Sequence, residues 1–333
     1  MISVGIIANP KSGKDIRRLV SQGRFVSNQE KVNVLKRILS GLIATHVDEV
    51  VMMPDMDMIG KAATTDISND LKIRHLDMSV FNNESDSTKA SKLMREIGVG
   101  CLITLGGDGT NRAVVKELGN IPLIPISTGT NNVFPKMIEG TVAGLAAGVV
   151  ASESLDIKKI SSRANLIEIY LNNQLADIAL VDIAVSKETF VGSRAIWDMD
   201  SVHEVFLGRS TPASIGLSAI GSQLCPSLPG DKSGTHLIIG KGGKSVIAPI
   251  APGMIRSVDV LDSFRMPVGE KVNIDLRPCT IALDGERSFS LSDKQTAYVL
   301  INDKGPIIVS VEETLRQAST ACLFRNDSQP ENS

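Results

Sequence analysis

The sequence predicts an α/β domain built on a doubly wound parallel sheet, over about residues 1–150, followed by a β-rich domain over about 151–305. Three observations predict it. Strand-like and helix-like segments alternate through the first half, as parallel strands joined by crossover helices require. After about residue 152, short strand-like segments punctuated by Gly, Pro, Asn and Asp take over, the texture of antiparallel sheets. Three strand-like runs in the first half also end in polar loops that contain glycine.

In chain order, Val4 to Ala8 reads as a strand, and Val32, Leu35, Leu39 and Leu42 then recur at helical spacing. Ser27 and Glu30 ahead of them have the spacing of a capping box. A strand at Glu49 to Met53 stops at Pro54, a helix is expected near 57–67 and a short strand at 72–76. Ala90, Leu93, Met94 and Ile97 mark one face of a second helix. The apolar run Cys101 to Leu105 is a buried strand, a helix follows Thr110, and Leu123 to Ile126 is the next strand. TVAGLAAGVVA, 141–151, is a buried Gly/Ala-rich helix, far short of the roughly 20 residues that cross a bilayer.

The second half carries expected strands at Leu155 to Ile160, Asn165 to Leu171, Ile178 to Val185, Thr235 to Ile239, Val246 to Ile250, Val258 to Leu261, Val272 to Asp275, Cys279 to Leu283 and Thr296 to Ile301, with a helix around Ala213 to Leu224. A last segment, 306–324, holds a helix at about 311–322 and is expected to pack back on the first domain. The polar end, RNDSQPENS at 325–333, is expected to be disordered.

Composition narrows the function. In 333 residues, 35 basic and 37 acidic side chains are spread without a basic block, which argues against nucleic acid as a partner. Cys101, Cys225, Cys279 and Cys322 are far apart, with no Cys-x-x-Cys pair, so neither a zinc site nor a disulfide framework is indicated and a reducing cytoplasm fits. The opening MISVGIIANP lacks a basic region ahead of its apolar run and reads as a strand, not a signal peptide. No membrane span is expected, and a homo-oligomer is an open alternative.

The chemistry centres on LGGDGT, residues 105–110. The dinucleotide fingerprint fails here, because counting from Gly107 its third glycine would be Arg112. Walker A fails at Gly13-Lys14, which has Ala8 where the first glycine belongs, and at Gly243-Lys244-Ser245, which has Ile238 there. GKGGKS, 240–245, reads as a turn. Glycines at a strand-to-helix junction let backbone approach phosphate. Asp108 standing among them is tolerable only beside a divalent metal, a substrate hydroxyl or both. That is the arrangement of phosphoryl transfer, in which a carboxylate orients or deprotonates the attacking hydroxyl; the alternative is an Asp that caps the following helix.

Two further loops converge on the same reading. ANPKSGK, 8–14, offers backbone donors at Ser12 and Gly13 with charge from Lys11 and Lys14, and ISTGTNN, 126–132, offers Ser127, Thr128, Gly129, Thr130 and Asn131. Loops at the carboxyl ends of strands are where doubly wound sheets bind ligands.

GGDGT with NPKSG upstream and G-T-x-N downstream resembles the superfamily of NAD kinases, diacylglycerol kinases and sphingoid-base kinases. The resemblance implies a Rossmann-like N-terminal domain, a C-terminal β-sandwich, and ATP with Mg²⁺ and a small-molecule acceptor meeting in the cleft between them. It places Asp108 as the motif aspartate, with Gly106, Gly107, Gly109, Thr110, Asn9, Lys11, Ser12, Gly13, Thr128, Gly129, Thr130 and Asn131 around ATP. LDGER, 283–287, resembles the lipid-kinase branch, implying that Asp284 and Glu286 serve metal and acceptor, with Asp284 the metal ligand; by itself the Asp284-Gly285 pair reads as a hairpin turn. ALVDIAV, 179–185, resembles the NAD kinase segment that contacts the acceptor, keeping its acid at Asp182 but with Val181 in place of Asn. STPASIGLSAIG, 210–221, is similar to the Gly/Ser/Thr-rich loop of NAD kinases without its Gly-Ser-Thr-Ala-Tyr core. GIIANPKSGKDIRRLV, SNQEKVNVLKRIL and STGTNNVFPKMIEGTVAGLAAG resemble the AcoX-like group of ATP-NAD kinase-related proteins, associated with acetoin catabolism.

The expectation is therefore an ATP-dependent kinase of a small-molecule hydroxyl. NAD is the first acceptor that the family implies, and another alcohol, diol or lipid-like compound is the alternative; 11 aromatic residues in 333 leave few rings to stack a second adenine. A nucleotide sensor without turnover, linked to acetoin catabolism, is the alternative of another class. Trp197 and His203, in SRAIWDMDSVHEVFLGR, belong either to a flap over the acceptor or to an edge loop. His46 and His75 are expected on the surface, and Arg17 and Arg18 either reach phosphate or line a solvated helix face.

Overall fold

The computed structural model describes residues 1–13, 22–65, 71–188, 199–227 and 231–325. The first half supplies β1 (Ser3–Ala8), α1 (Asn28–Ala44), β2 (Glu49–Met52), α2 (Ile59–Ala63), β3 (Lys72–His75), α3 (Glu84–Ile97), β4 (Cys101–Gly106), α4 (Asp108–Leu118), β5 (Leu123–Ser127) and α5 (Gly140–Ala151). Next come α6 (Ile157–Ile160), β6 (Ser161–Arg163), β7 (Leu166–Leu171), β8 (Gln174–Ala179), β9 (Asp182–Ser186), β10 (Val202–Leu207) and α7 (Leu217–Leu224). The chain ends with β11 (Gly234–Ala251), β12 (Met254–Met266), β13 (Val272–Asn273), β14 (Cys279–Leu283), β15 (Glu286–Leu291), β16 (Ala297–Asn302), β17 (Ile307–Val309) and α8 (Val311–Thr320).

Among the described residues, one sheet has the order β3-β2-β1-β4-β5-β17-β6. Strands β1 to β5 are parallel, β17 joins parallel to β5, and β6 runs antiparallel at the edge. β1 and β4 are buried along their whole lengths and, apart from Ser3 and Thr104, carry no polar side chain, as strands covered on both faces favour. Ile6, Ile103 and Ile124 pack against Leu35, Leu39 and Ala147 on one face, and Ile7, Leu102 and Leu123 against Met94, Val114 and Leu118 on the other. The chain moves outward from β1 to β3 and returns to β4, which pairs with β1. The strand order reverses there, and the carboxyl ends of β1 and β4 open the crevice that such sheets use for ligands.

The second half folds into a six-stranded sheet, β12-β11-β10-β9-β14-β15, and a four-stranded sheet, β13-β16-β7-β8. Ile183, Val185, Phe206 and Ile281 of the first and Ile167, Ile169, Val299 and Ile301 of the second form one core between them, which is the sandwich arrangement. Helix α7 covers the outer face of the six-stranded sheet through Ala219 and Ile220. No helix among the described residues is long and apolar enough to cross a membrane.

The Gly/Ala helix α5 lies close to α1 because a Cβ on Gly144 would stand 2.2 Å from the Ile38 carbonyl oxygen. Gly144→Val is expected to force the helices apart and to cost roughly 1–3 kcal/mol of stability, read as a lower denaturant midpoint. An unchanged midpoint would contradict that close approach.

Several sequence expectations are corrected. The strand expected at 155–160 is the short helix α6, because Asp156 caps it by accepting from the Lys158 N–H. The strand expected at 178–185 is two strands, β8 and β9, broken at Leu180-Val181. The strands expected at 235–239 and 246–250 are one strand, β11, with a bulge in place of the GKGGKS turn: Ile239 and Lys244 both pair with Val260. The stretch with His203 is neither flap nor edge loop, since β10 lies inside its sheet between β9 and β11. Ser27 caps α1 at the Glu30 N–H, while the Glu30 side chain turns to Arg37 and closes no capping box there. The helix expected from Ala213 begins at Leu217. Residues 326–333 of the expected disordered tail, with Trp197, Lys14, Arg17 and Arg18, lie outside the described residues. His46 and His75 are exposed.

Candidate active site

A cleft of about 800 Å³ opens at the carboxyl ends of β1, β4 and β5 and is closed on one side by the β14–β15 turn. Asn9, Lys11, Ser12, Gly13, Gly107, Asp108, Gly109, Thr110, Gly129, Thr130, Asn131, Asp284 and Glu286 all line it. Three residues expected there do not. Gly106 is the last residue of β4, where a Cβ would stand 2.5 Å from Thr110 Cβ. Thr128 is buried, and its hydroxyl donates to Ser12 Oγ at 2.8 Å. Asp182 is buried beside the β14–β15 turn, its carbonyl accepting from the Asp284 N–H at 2.9 Å.

The first loop is held from two sides. Asn9 Nδ2 donates to Thr110 Oγ1 at 2.8 Å and Asn9 Oδ1 accepts from the Lys11 N–H at 2.9 Å, so Asn9 ties the end of β1 to the first turn of α4. Gly13 has φ +68°, and a Cβ there would meet the Thr128 carbonyl oxygen at 2.3 Å; only glycine lets the first and third loops touch. Underneath, Lys31 is fully buried and donates to the carbonyls of Asn9 at 3.1 Å and Pro10 at 2.7 Å and to Asn28 Oδ1 at 3.2 Å. Lys31→Met removes the donor to the buried Pro10 contact, and a buried acceptor left unsatisfied costs about 1–3 kcal/mol, while the Asn9 carbonyl still accepts from the Ser12 N–H and hydroxyl. The expected outcome is a lower melting temperature, read by calorimetry; an unchanged melting temperature would show that the first loop does not depend on Lys31.

Asp108 does not cap its own helix. Gly107 is the N-cap of α4 and has no side chain to offer; Asn132 Oδ1 accepts from the Asp108 N–H at 3.4 Å. The Asp108 carboxylate instead crosses to the segment after the third loop, where Oδ1 accepts from the Phe134 N–H at 2.8 Å and Oδ2 from the Val133 N–H at 3.1 Å. Asn132 completes the junction: its Nδ2 donates to Ser127 Oγ at 2.8 Å, and its Oδ1 lies 2.7 Å from the position of a Cβ on Gly107. The first turn of this 11-residue helix, Gly107 to Thr110, lines the cleft, so the positive end of its dipole faces it. Half-buried Arg209 approaches Asp108 from the second half; burial pulls its guanidinium below the ordinary value and the attraction of Asp108 opposes that.

Asp284 and Gly285, with φ 50° and 77°, form the turn between β14 and β15, as a two-residue hairpin with both residues left-handed requires. The Asp284 side chain is fully buried, and Oδ1 accepts from the N–H groups of Leu180 at 3.0 Å, Val181 at 2.8 Å and Asp182 at 3.4 Å. Its Oδ2 lies 3.9 Å from Nη1 of Arg112, which donates to the Leu283 carbonyl at 2.8 Å. Burial pushes the Asp284 carboxyl above its ordinary value, against Arg112 and the three N–H groups that pull it down. For Arg112, burial acts downward and is outweighed by Asp284, Asp177, Glu286 and Glu84, which hold the guanidinium charged. Asp284 is thus committed to the turn and to Arg112, while Glu286 reaches back over α4, 3.6 Å from where a Cβ on Gly109 would sit.

The side chains that sequence reasoning missed are those that position others. Lys31 leaves a trace, because it falls one turn before Leu35 on the core-facing stripe of α1. Arg112 falls one turn after Asp108 on α4. Asn111, fully buried, accepts from Thr104 Oγ1 at 2.7 Å and donates to the Gly107 carbonyl at 2.9 Å. Arg209 carries no local signal, whereas Asn132 is the asparagine that closes the G-T-x-N motif.

ATP and Mg²⁺ fit what is present. Three loops meet at the N-terminus of α4, and the carboxylates of Asp108 and Glu286 belong to the lining of the same cleft. That suits a magnesium ion bound mainly through phosphate oxygens and one or two carboxylates, since Mg²⁺ seldom takes an all-protein cage.

Residues 4–154 match the model of the ATP-NAD kinase N-terminal domain, and residues 165–304 that of the acetoin catabolism protein X C-terminal domain. Acetoin catabolism protein X of Cupriavidus necator H16 is 34% identical over 341 residues, covering 98% of this chain and 95% of that protein. An NAD kinase of Methanosarcina barkeri Fusaro is 22% identical over 212 residues, 60% of this chain and 68% of its own length. A crystal structure from Bacillus anthracis Sterne, provisionally described as a diacylglycerol kinase, is 13% identical with a TM-score of 0.44, covering 92% of this chain and 97% of that one. With its kinase-type α/β half and its sandwich half both matched, the chain belongs to the acetoin catabolism protein X family.

Proposed function

We propose that the protein transfers the terminal phosphoryl group of ATP to a hydroxyl of a small molecule. The observation that carries this reading is Asp108, a carboxylate held by the Val133 and Phe134 N–H groups at the centre of three glycine-containing loops. An anion site has no use for a carboxylate at its centre unless a proton or a cation is handled there.

On this reading the loops at Asn9 to Gly13, Gly107 to Thr110 and Gly129 to Asn131 cradle the phosphates, with Lys11 and Arg24 adding positive charge at the rim. Asp108 takes the proton of the acceptor hydroxyl. The acceptor oxygen bonds to the γ-phosphorus as the bond to the β,γ-bridging oxygen breaks, ADP leaves, and Asp108 returns the proton to solvent. Magnesium, when bound, neutralises phosphate charge. Glu286 is the carboxylate that would hold it, and Asp284 acts by setting the turn that presents Glu286.

The test is ADP formation from ATP and Mg²⁺ with NAD and with a panel of small alcohols and diols, alongside calorimetry of ATP binding. Acceptor-dependent ADP formation is the expected result. Tight ATP binding with no ADP formation from any acceptor would replace the kinase by a nucleotide sensor.

A further inference from the structure

The rim of the cleft is tied to the tip of a hairpin from the second half. The β11–β12 hairpin turns at Pro252 and Gly253, between the paired residues Ala251 and Met254. Gly253 has the left-handed φ of +72° that a type II turn asks of the residue after its proline. The Pro252 carbonyl accepts from the Gln22 N–H at 2.9 Å, and a Cβ on Gly253 would stand 2.9 Å from Gln22 Oε1. The residues that follow Gln22 are fastened to two of the phosphate loops: the Arg24 N–H donates to Thr130 Oγ1 at 3.1 Å, and the Val26 N–H to the Gly13 carbonyl at 3.2 Å. Gly23 and Arg24 line the cleft between these ties. The hairpin is firm almost to its tip, because α7 packs on Val246, Ala248 and Val258 and the Gly216 N–H at its N-cap donates to the Pro249 carbonyl at 2.9 Å. The segment 22–26 has no such support: Gln22, Arg24 and Phe25 are exposed, and Val26 is its one buried side chain. A segment of that kind opens at low cost unless its ends are held.

We propose that Gln22 and Gly253 are positioning residues of the phosphate site: the hairpin tip holds residues 22–26 against the first and third loops, and so sets how tightly those loops retain a nucleoside triphosphate. The proposal rests on the kinase reading for the identity of the ligand, but its mechanical part, that the tip holds the segment, does not. Thr130 illustrates what the tie achieves. With a lone pair of its hydroxyl oxygen taken by the Arg24 N–H, the hydroxyl keeps its proton for a phosphate oxygen. The same bond fixes the backbone of Arg24 at the rim, from which a guanidinium pairs well with phosphate.

The experiment follows amide hydrogen exchange, and the binding of a non-hydrolysable ATP analogue with Mg²⁺, in the full chain carrying Gly253→Val, whose β-branched side chain cannot hold a φ of +72° without strain. The Arg24 and Val26 amides are expected to exchange at least about ten-fold faster, and the analogue to dissociate about ten-fold faster. The amides of β1 and β4 and the melting temperature are expected to stay as they were, which a general loss of stability would not allow. Gln22→Pro removes the same hydrogen bond from the other side and is expected to give the same pair of changes, so the result does not hang on one altered hairpin. Faster exchange confined to Gln22, or an unchanged dissociation rate beside faster exchange at Arg24 and Val26, would overturn the proposal. An unaltered protein that binds no analogue would remove the kinase reading, and exchange at Arg24 and Val26 would then decide by itself whether the tip holds the loops.

Discussion

Asp108→Asn is expected to lower acceptor-dependent ADP formation by about a hundred- to ten-thousand-fold, with affinity for ATP changed by no more than a few-fold. The substitution keeps the shape of the side chain, and its carbonyl oxygen can still accept from Phe134, the shortest contact of the carboxylate at 2.8 Å. What it loses is the capacity to take a proton. Steady-state rates and calorimetry on the same preparations separate the two effects. A loss of less than about ten-fold would mean that Asp108 is a structural strut between α4 and residues 133–134.

Asp284→Ala carries the largest expected effect on stability. Its carboxylate satisfies the N–H groups of Leu180, Val181 and Asp182 and stands beside buried Arg112. Removing it leaves those donors without their acceptor and Arg112 short of a carboxylate inside the protein. Loss of one partner of a buried charged pair costs roughly 3–5 kcal/mol, so a sharply lower denaturant midpoint is expected, together with weaker catalysis because the turn bearing Glu286 is released. A fold of unchanged stability that loses only activity would identify Asp284 as a direct participant in the chemistry and would contradict the positioning role given to it here.

The α/β half was legible because its signals are local. Apolar runs such as Cys101 to Leu105 must be strands, and each polar loop with glycine must stand where its strand ends, so periodicity and turn chemistry placed the three loops without knowledge of the fold. The second half was harder to read where long-range partners decide the structure. The apolar run 178–185 conceals a break, because the N–H groups freed at Leu180 and Val181 find their acceptor in Asp284, about a hundred positions away. The bulge in β11 is likewise set by its partner strand, since Gly243 passes so close to Val260 that a Cβ would stand 2.1 Å from the carbonyl oxygen. β10 was hidden by its own sequence: its Glu204 is a polar residue at a buried position, paired at 2.9 Å with His236 of β11, which stacks on Phe206.

The site was legible in the same uneven way. Glycines and Asp108 announce themselves by residue type and spacing. Lys31, Arg112 and Arg209 are read in sequence as solvated charges; their roles arise only once packing removes the solvent and carbonyls or carboxylates take its place. Asp284 illustrates the reverse case. Its motif points to metal chemistry, and its three backbone partners and Arg112 give the carboxylate a positioning task.

Phosphoryl transfer onto a hydroxyl is the activity we propose for this cleft. It is tested most directly by incubating the protein with ATP labelled in the γ-phosphate, Mg²⁺ and a panel of neutral, cationic and anionic hydroxyl compounds, and following where the label goes. Label in a phosphate ester of one of these acceptors is expected with the unaltered protein, and none with Asp108→Asn. Label that stays in ATP for every acceptor, with ATP demonstrably bound, would contradict it.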